Sequence, residues 1–310
     1  MTTPSVIGIG NPESQQVFLS KYKPFLDEQA FLMPVVKGVF LNRVILPPSA
    51  EVMGTLDGLS DDDPRVQAVD DRYKSDLIVY TLGRIAVDDF SELVVLAGNG
   101  WGVGALKILR GMYERVVTSA YIAKTPEASR AFADSFWTHK AKVLRRISTL
   151  DPKYMADAPP EKISEIQAEA KRAQDNKRES TCKCCGQIKK IDAWTSLDLA
   201  SMARIAGSHL EDLYLSCYLE PTAHMHATGA GMTARMEHTG DSWLYKLNTD
   251  NESHMAIILG HNVLLQNLRT QNDYFSLGMF ESINLRFTAF HEVWGKPEKN
   301  EIPNVAGAKD

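Results

Sequence analysis

GNGWGVGALKILRGMYERVVTSAYIA, residues 98–123, is the stretch whose reading decides the fold. From Val103 the apolar residues recur as Leu106, Tyr113, Val117 and Ala120, in alternating steps of three and four, and Leu109 and Val116 widen the stripe. That period is the signature of a helix with one face against a core. Arg110 stands inside the stripe where the pattern asks for leucine, and Glu114 follows one turn later. A guanidinium cannot shed its charge, so a buried one needs a carboxylate or other acceptors. The stretch therefore predicts a helix that carries a polar site into a bundle interior. A bland surface pair at i,i+4 and a structural ion pair are the competing explanations of Arg110 and Glu114.

The flanks extend the helical reading. Asp63-Pro64 is an N-cap followed by a first-turn proline, and it opens a long helix bearing Ile78, Leu82, Ile85, Phe90 and Leu93. Thr125-Pro126-Glu127 restarts a helix running to about Leu150, with Phe132, Phe136, Val143, Ile147 and His139 on one face. Residues 159–180 read as a mostly polar helix. Thr195–Asp198 and Ser208–Glu211 have capping-box spacing on either side of Gly207. The helix of Tyr214 and Tyr218 is expected to end near Pro221, and 224–241 to be irregular. Thr249–Glu252 opens another helix, and a last one carries Phe280 to Trp294. An N-terminal helical segment, roughly 14–45, is interrupted by Pro24 and Pro34.

The expected fold class is all-α: a multi-helix bundle forming one main domain, with an irregular Cys-rich loop inserted. Residues 1–63 form an N-terminal helical region and linker, 64–295 the main domain, and 296–310 a disordered tail. The chain has 310 residues, 44% hydrophobic and 24% charged, with formal charge -5. This is a globular composition without the broad basic footprint of a nucleic-acid binder. The run 93–106 is too short to span a bilayer, so no membrane association is expected. Residues 1–16 lack the charged and apolar regions of a signal peptide, and the cysteines form no secreted framework. The expected compartment is the cytoplasm.

Several constellations compete for the chemistry. Gly100-Trp-Gly102-Val-Gly104-Ala105 fits G-x-G-x-x-A after ELVVLAG, a dinucleotide fingerprint if that segment is a strand. The helical period running on to Ala123 favours instead a helix break whose glycines permit close packing. Cys182, Cys184 and Cys185 in CKCCG resemble a zinc knuckle short of a fourth ligand, so zinc at Cys182–Cys185 is weighed against a metal-free thiol loop. His224, His226 and Glu114 would suffice for a catalytic metal with an open position. His139, His254 and His261 interrupt apolar faces, where a satisfied core histidine is the commoner explanation. Arg204-x4-His209 and Arg286-x4-His291 both fit the R-x4–6-H pattern of helical ribonucleases of the HEPN type, a match expected about once by chance in such a chain.

Taken together, LKILRGMYERVVTSAYIAKTPEASRAFADSF, AWTSLDLASMARIAG and LYLSCYLEPTAHMHATG resemble a widespread bacterial helical family labelled a domain of unknown function. Its pattern is R-x3-E on one helix, then a Y-x3-Y helix followed by a histidine. The resemblance covers roughly 70–230 and implies Arg110, Glu114, Tyr214, Tyr218 and one of His224 or His226 as the matching positions. The expectation is a polar pocket of Arg110, Glu114, His226, Tyr214 and Tyr218, flanked by His139, His224 and His261. It would bind a small anionic ligand or an RNA phosphate, with Arg110 as anion clamp. Metal-independent phosphodiester cleavage with His226 as acid–base is the first catalytic reading. A non-enzymatic interaction protein, a metal-dependent hydrolase and a homo-oligomer are the alternatives carried forward.

Overall fold

The computed structural model describes residues 12–41, 45, 47–60, 63–151, 153, 159–175, 179–181, 188–190, 193–225, 229–240, 242–246 and 249–295. In chain order the helices are α1 (Pro12–Lys21), α2 (Lys23–Phe40), α3 (Ala50–Gly54), α4 (Pro64–Gly98), α5 (Gly102–Lys124), α6 (Ala128–Leu150), α7 (Pro160–Asp175), α8 (Leu199–Ala206) and α9 (Ser208–Glu211). A π-helical turn, Leu215–Leu219, leads into α10 (Glu220–Met225), then α11 (Gly229–Thr233), α12 (Asp250–Phe275) and α13 (Phe280–Trp294). Two antiparallel hairpins interrupt the helices: β1 (Glu179–Thr181) with β2 (Ile188–Lys190), and β3 (Met236–Thr239) with β4 (Ser242–Tyr245). The all-α multi-helix expectation holds. No helix among the described residues is long and apolar enough to cross a membrane.

The chain divides into two compact units. The first comprises Met1–Arg43, Gly83–Val116 and Leu213–Asp310, the second Val44–Leu82 and Val117–Asp212. Phe25, Leu32, Phe90, Leu93, Leu109, Ile257 and Leu264 are buried in the first unit. Two glycines set its spacing. At Gly83, Asn267 Nδ2 donates to the backbone oxygen at 2.8 Å, where a methyl group would meet Gln271 and Asn267. At Gly102, a Cβ would lie 2.1 Å from Ser253 N and 2.2 Å from Thr249 O, so α5 begins with its backbone directly against the start of α12. Thr249 fastens that crossing: its N–H donates to Gly100 O (2.8 Å), and its Oγ1 accepts from Val103 N (3.1 Å).

The Gly-rich stretch is therefore a packing device. ELVVLAG is the last part of α4 and not a strand, so the dinucleotide fingerprint lacks its βαβ setting. Gly100 turns the chain at φ 78°, in the left-handed region glycine enters without cost.

In the second unit, Val79, Ile122, Ala203 and Leu210 are fully buried, and Ser119 Oγ donates to Val79 O at 3.1 Å. Trp194 lies against Tyr121 and Phe132, with ring centroids 5.9 and 5.1 Å away. α6 pairs with α7.

Local expectations fare unevenly. Asp63 caps α4 by accepting from Arg65 N (2.9 Å), and Asp198 caps α8 by accepting from Ser201 N (2.8 Å). Pro34 lies inside an unbroken α2 and Pro221 in the first turn of α10, where a missing N–H costs little, so the helical path continues past Pro221 to Met225. Residues 224–241, expected to be irregular, include α11 and the start of the second hairpin. The α6 face bearing Phe136 and Val143, expected in the core, is exposed, because the helix buries Ala128, Ser129 and Asp134 instead.

Candidate functional site

Val103, Leu106, Leu109, Tyr113, Val116 and Val117 are all buried, so the stripe read from the sequence is the packed face of α5. Arg110 is the exception in that row, with its side chain 19% exposed. Its Nε donates to Thr222 Oγ1 at 2.9 Å and its Nη2 to the Tyr218 hydroxyl at 2.9 Å. The guanidinium carbon lies 4.4 Å from the centroid of the Tyr218 ring, at cation–π distance. Thr222 Oγ1 in turn donates to Tyr218 O at 2.6 Å, which fixes the hydroxyl so that its lone pairs meet the arginine. Tyr214 stacks on Tyr218 with centroids 5.5 Å apart and planes at 26°.

Tyr218 lies in the π-helical turn and Thr222 in α10, four residues further on. π-turns are rare and concentrate at functional sites. Sequence reasoning missed Thr222, although Tyr214, Tyr218 and Thr222 repeat at four-residue spacing, a signal present in the sequence.

Glu114 is the surprise. It is 49% exposed, and its Oε2 stands 3.5 Å from Arg110 Nη1, at the limit of a hydrogen bond. The close partners of this cation are thus neutral hydroxyls, and its charge is only loosely balanced. Of the five N–H donors of a guanidinium, three are aimed at these partners and two remain. Tyr218, whose oxygen accepts from Arg110, keeps its own O–H to give. Such an arrangement presents donors and positive charge with little anionic competition.

The other expected site residues are dispersed. His224 follows Thr222 by two residues on α10, about 200° further round the helix, and its Nδ1 is buried without a hydrogen-bond partner among the described residues. His261 belongs to the first unit but is fully buried, ringed by Phe25, Phe90 and Phe290 at 5.5, 6.4 and 5.2 Å. Trp294 Nε1 donates to its Nδ1 at 3.2 Å, and burial pushes its pKa down to about 4. It is a core histidine with no exposed edge for a ligand. His139 belongs to the second unit and is exposed beside Lys142, Val143 and Ile147, not in a core. His226 and the cysteines 182, 184 and 185 lie outside the described residues.

The two R-x4-H arginines are both engaged by carboxylates. Arg286 Nη1 reaches both oxygens of Glu28, at 2.8 and 3.0 Å, with both side chains largely buried. Arg204 Nε meets Glu211 Oε1 at 2.8 Å. Among the described residues no group of three or more His, Cys, Asp or Glu could hold a metal ion.

Fold and site together define a class: an all-α protein in which one helix offers an arginine to the hydroxyls of a π-helical segment. The chain belongs to a family of unknown function (DUF5677), which matches residues 76–242 and so includes the whole Arg110–Tyr218–Thr222 cluster. No curated protein and no solved structure matches the chain.

Proposed function

We propose that the cluster around Arg110 binds an anion of the phosphate class, presented by a small ligand or by an RNA backbone. The observation that carries this reading is the imbalance around the guanidinium: two neutral hydroxyls at 2.9 Å, and a half-exposed carboxylate no closer than 3.5 Å. An oxyanion arriving there meets two spare guanidinium N–H groups and the Tyr218 O–H. Charge-assisted bonds of this kind are worth about 1.5–3 kcal/mol each.

The test is binding of inorganic phosphate and of a labelled single-stranded RNA to wild type, Arg110→Lys and Arg110→Met. Arg110→Met should weaken binding at least tenfold, since it removes charge and donors together. Arg110→Lys should restore it only in part, because an ammonium cannot hold Thr222 and Tyr218 and still offer a fork. Equal binding in all three proteins overturns the reading, as does the absence of binding in wild type.

For an RNA phosphate, cleavage with His226 as the acid–base partner is the reaction this reading adds. It requires loss of cleavage in His226→Ala, with chelator having no effect.

A second reading has its own support. Every short contact of Arg110 reaches a segment more than a hundred residues away, as a packing clamp would. A clamp alone predicts that Arg110→Met loses stability while no anion binds to wild type.

A further inference from the structure

The second unit holds a cavity of about 830 Å³ formed by α3 and the residues flanking it, the first turns of α4 and of α6, and the last turn of α7. Its apolar lining is Met53, Leu56, Val66, Val69 and Tyr73. The rest of the lining is mostly charged, and its charges are unevenly served. Lys74 Nζ lies 2.6 Å from Asp70 Oδ2, Arg130 Nη2 lies 2.9 Å from Asp71 Oδ1, and Arg172 Nη2 lies 2.7 Å from Glu169 Oε2. Each lining cation thus has a carboxylate at contact distance.

Asp134 does not have the converse. It is 8% exposed, lines the cavity, and accepts no hydrogen bond from any described residue. Its nearest cation is Arg172 at 3.7 Å, too long for a hydrogen bond, on a side chain 55% exposed and already committed to Glu169. Asp134 is thus a mostly buried carboxylate whose nearest cation stands beyond hydrogen-bond distance, and the cavity is the space from which a donor can reach it. The demand left open here is for positive charge. Apolar and charged side chains share the lining, and the volume falls within the usual range of small-molecule sites.

We propose that this cavity binds a small organic cation, a primary amine on an apolar body. Asp134 takes the ammonium, and Met53, Leu56, Val66 and Tyr73 cover the hydrocarbon. The site is independent of the one at Arg110, and neither proposal stands or falls with the other. Lys74, Arg130 and Arg172 are already paired with Asp70, Asp71 and Glu169, so they offer a carboxylate analogue no free partner.

Titration calorimetry on the full chain tests it with 2-phenylethylamine and hexylamine, against hexanol and hexanoate, whose bodies match but whose heads are neutral or anionic. Both amines should bind saturably, and hexanol and hexanoate should bind at least tenfold more weakly, the worth of a charge-assisted hydrogen bond. Asp134→Asn keeps the shape and removes the charge, so it should weaken amine binding by the same factor. Val69→Trp, which fills the cavity and leaves Asp134 in place, should abolish it. The proposal is overturned by an absence of amine binding, by tighter binding of hexanoate, or by affinities that Asp134→Asn and Val69→Trp leave unchanged.

Discussion

Replacing Gly102 by alanine would separate two accounts of the Gly-rich turn, and the geometry sets its size. The added Cβ would stand 2.1 Å from Ser253 N, 2.2 Å from Thr249 O and 2.6 Å from Glu252 C, all backbone atoms that cannot rotate aside. Each distance is far inside the 3.4 Å at which ordinary contact begins. The start of α12 must retreat, and the bonds Thr249 N–Gly100 O and Val103 N–Thr249 Oγ1 stretch with it. Overpacking of this kind costs about 1–3 kcal/mol and two weakened buried hydrogen bonds about 1 kcal/mol each. Alanine's better helix propensity returns at most about 1 kcal/mol, leaving a net loss of roughly 2–4 kcal/mol. Gly104→Ala is the control: its Cβ would meet nothing closer than Leu96 Cδ1 at 3.6 Å, so it should be neutral or slightly stabilising. Urea denaturation of the two variants beside wild type reads the difference. Equal stability of Gly102→Ala and wild type, or an equal loss in Gly104→Ala, would refute the close-packing account.

Two buried groups predict opposite pH slopes. Burial, opposed by Arg115 at 2.7 Å, raises Asp89 to about 6 from 3.8, so its contribution is present at low pH and lost as pH rises through about 6. Asp89→Asn should therefore gain on wild type by about 2–3 kcal/mol between pH 4 and pH 6.5, measured as the difference between their urea midpoints. His261, lowered to about 4 by burial, contributes stability that is present above 6.5 and lost as pH falls through 4. His261→Phe should thus gain on wild type towards acid pH, the reverse of Asp89→Asn, and parallel slopes in the two variants would contradict both assignments. Arg286→Leu strands the buried Glu28 carboxylate and should cost about 3–5 kcal/mol, whereas Glu28→Leu with Arg286→Leu should recover most of it in a double-mutant cycle.

What the sequence disclosed depended on how local the cause was. The α5 stripe and the Asp63 cap follow from periodicity and capping and are found where expected; α12 also starts at its expected place, although the Thr249 hydroxyl serves Val103 and Gly100 and makes no cap bond. Arg110 was legible because a charge in an apolar row is conspicuous. Tyr218 was legible through the Y-x3-Y pattern of the resemblance, but Thr222 was passed over: it continues that four-residue spacing, yet reads as one more small residue beyond a proline. Glu114 has the right spacing but the wrong burial, since i,i+4 geometry fixes a neighbour without fixing depth. His139 and His261 had the same appearance in the sequence, yet one is exposed on α6 and the other is caged among aromatic rings. Tertiary packing decided between them. The hairpins were missed because strands of three or four residues carry too short an alternation to compete with the surrounding helices.

The widened turn at Leu215–Leu219 bears on how this helix tolerates a change of length. An i→i+5 turn holds an extra residue compared with ordinary helical closure. Deleting one residue from a regular helix swings everything after it by about 100°, whereas deleting one here lets the coil close normally and leaves Thr222 facing Arg110. Sequences descended from such a deletion should still carry arginine at this position.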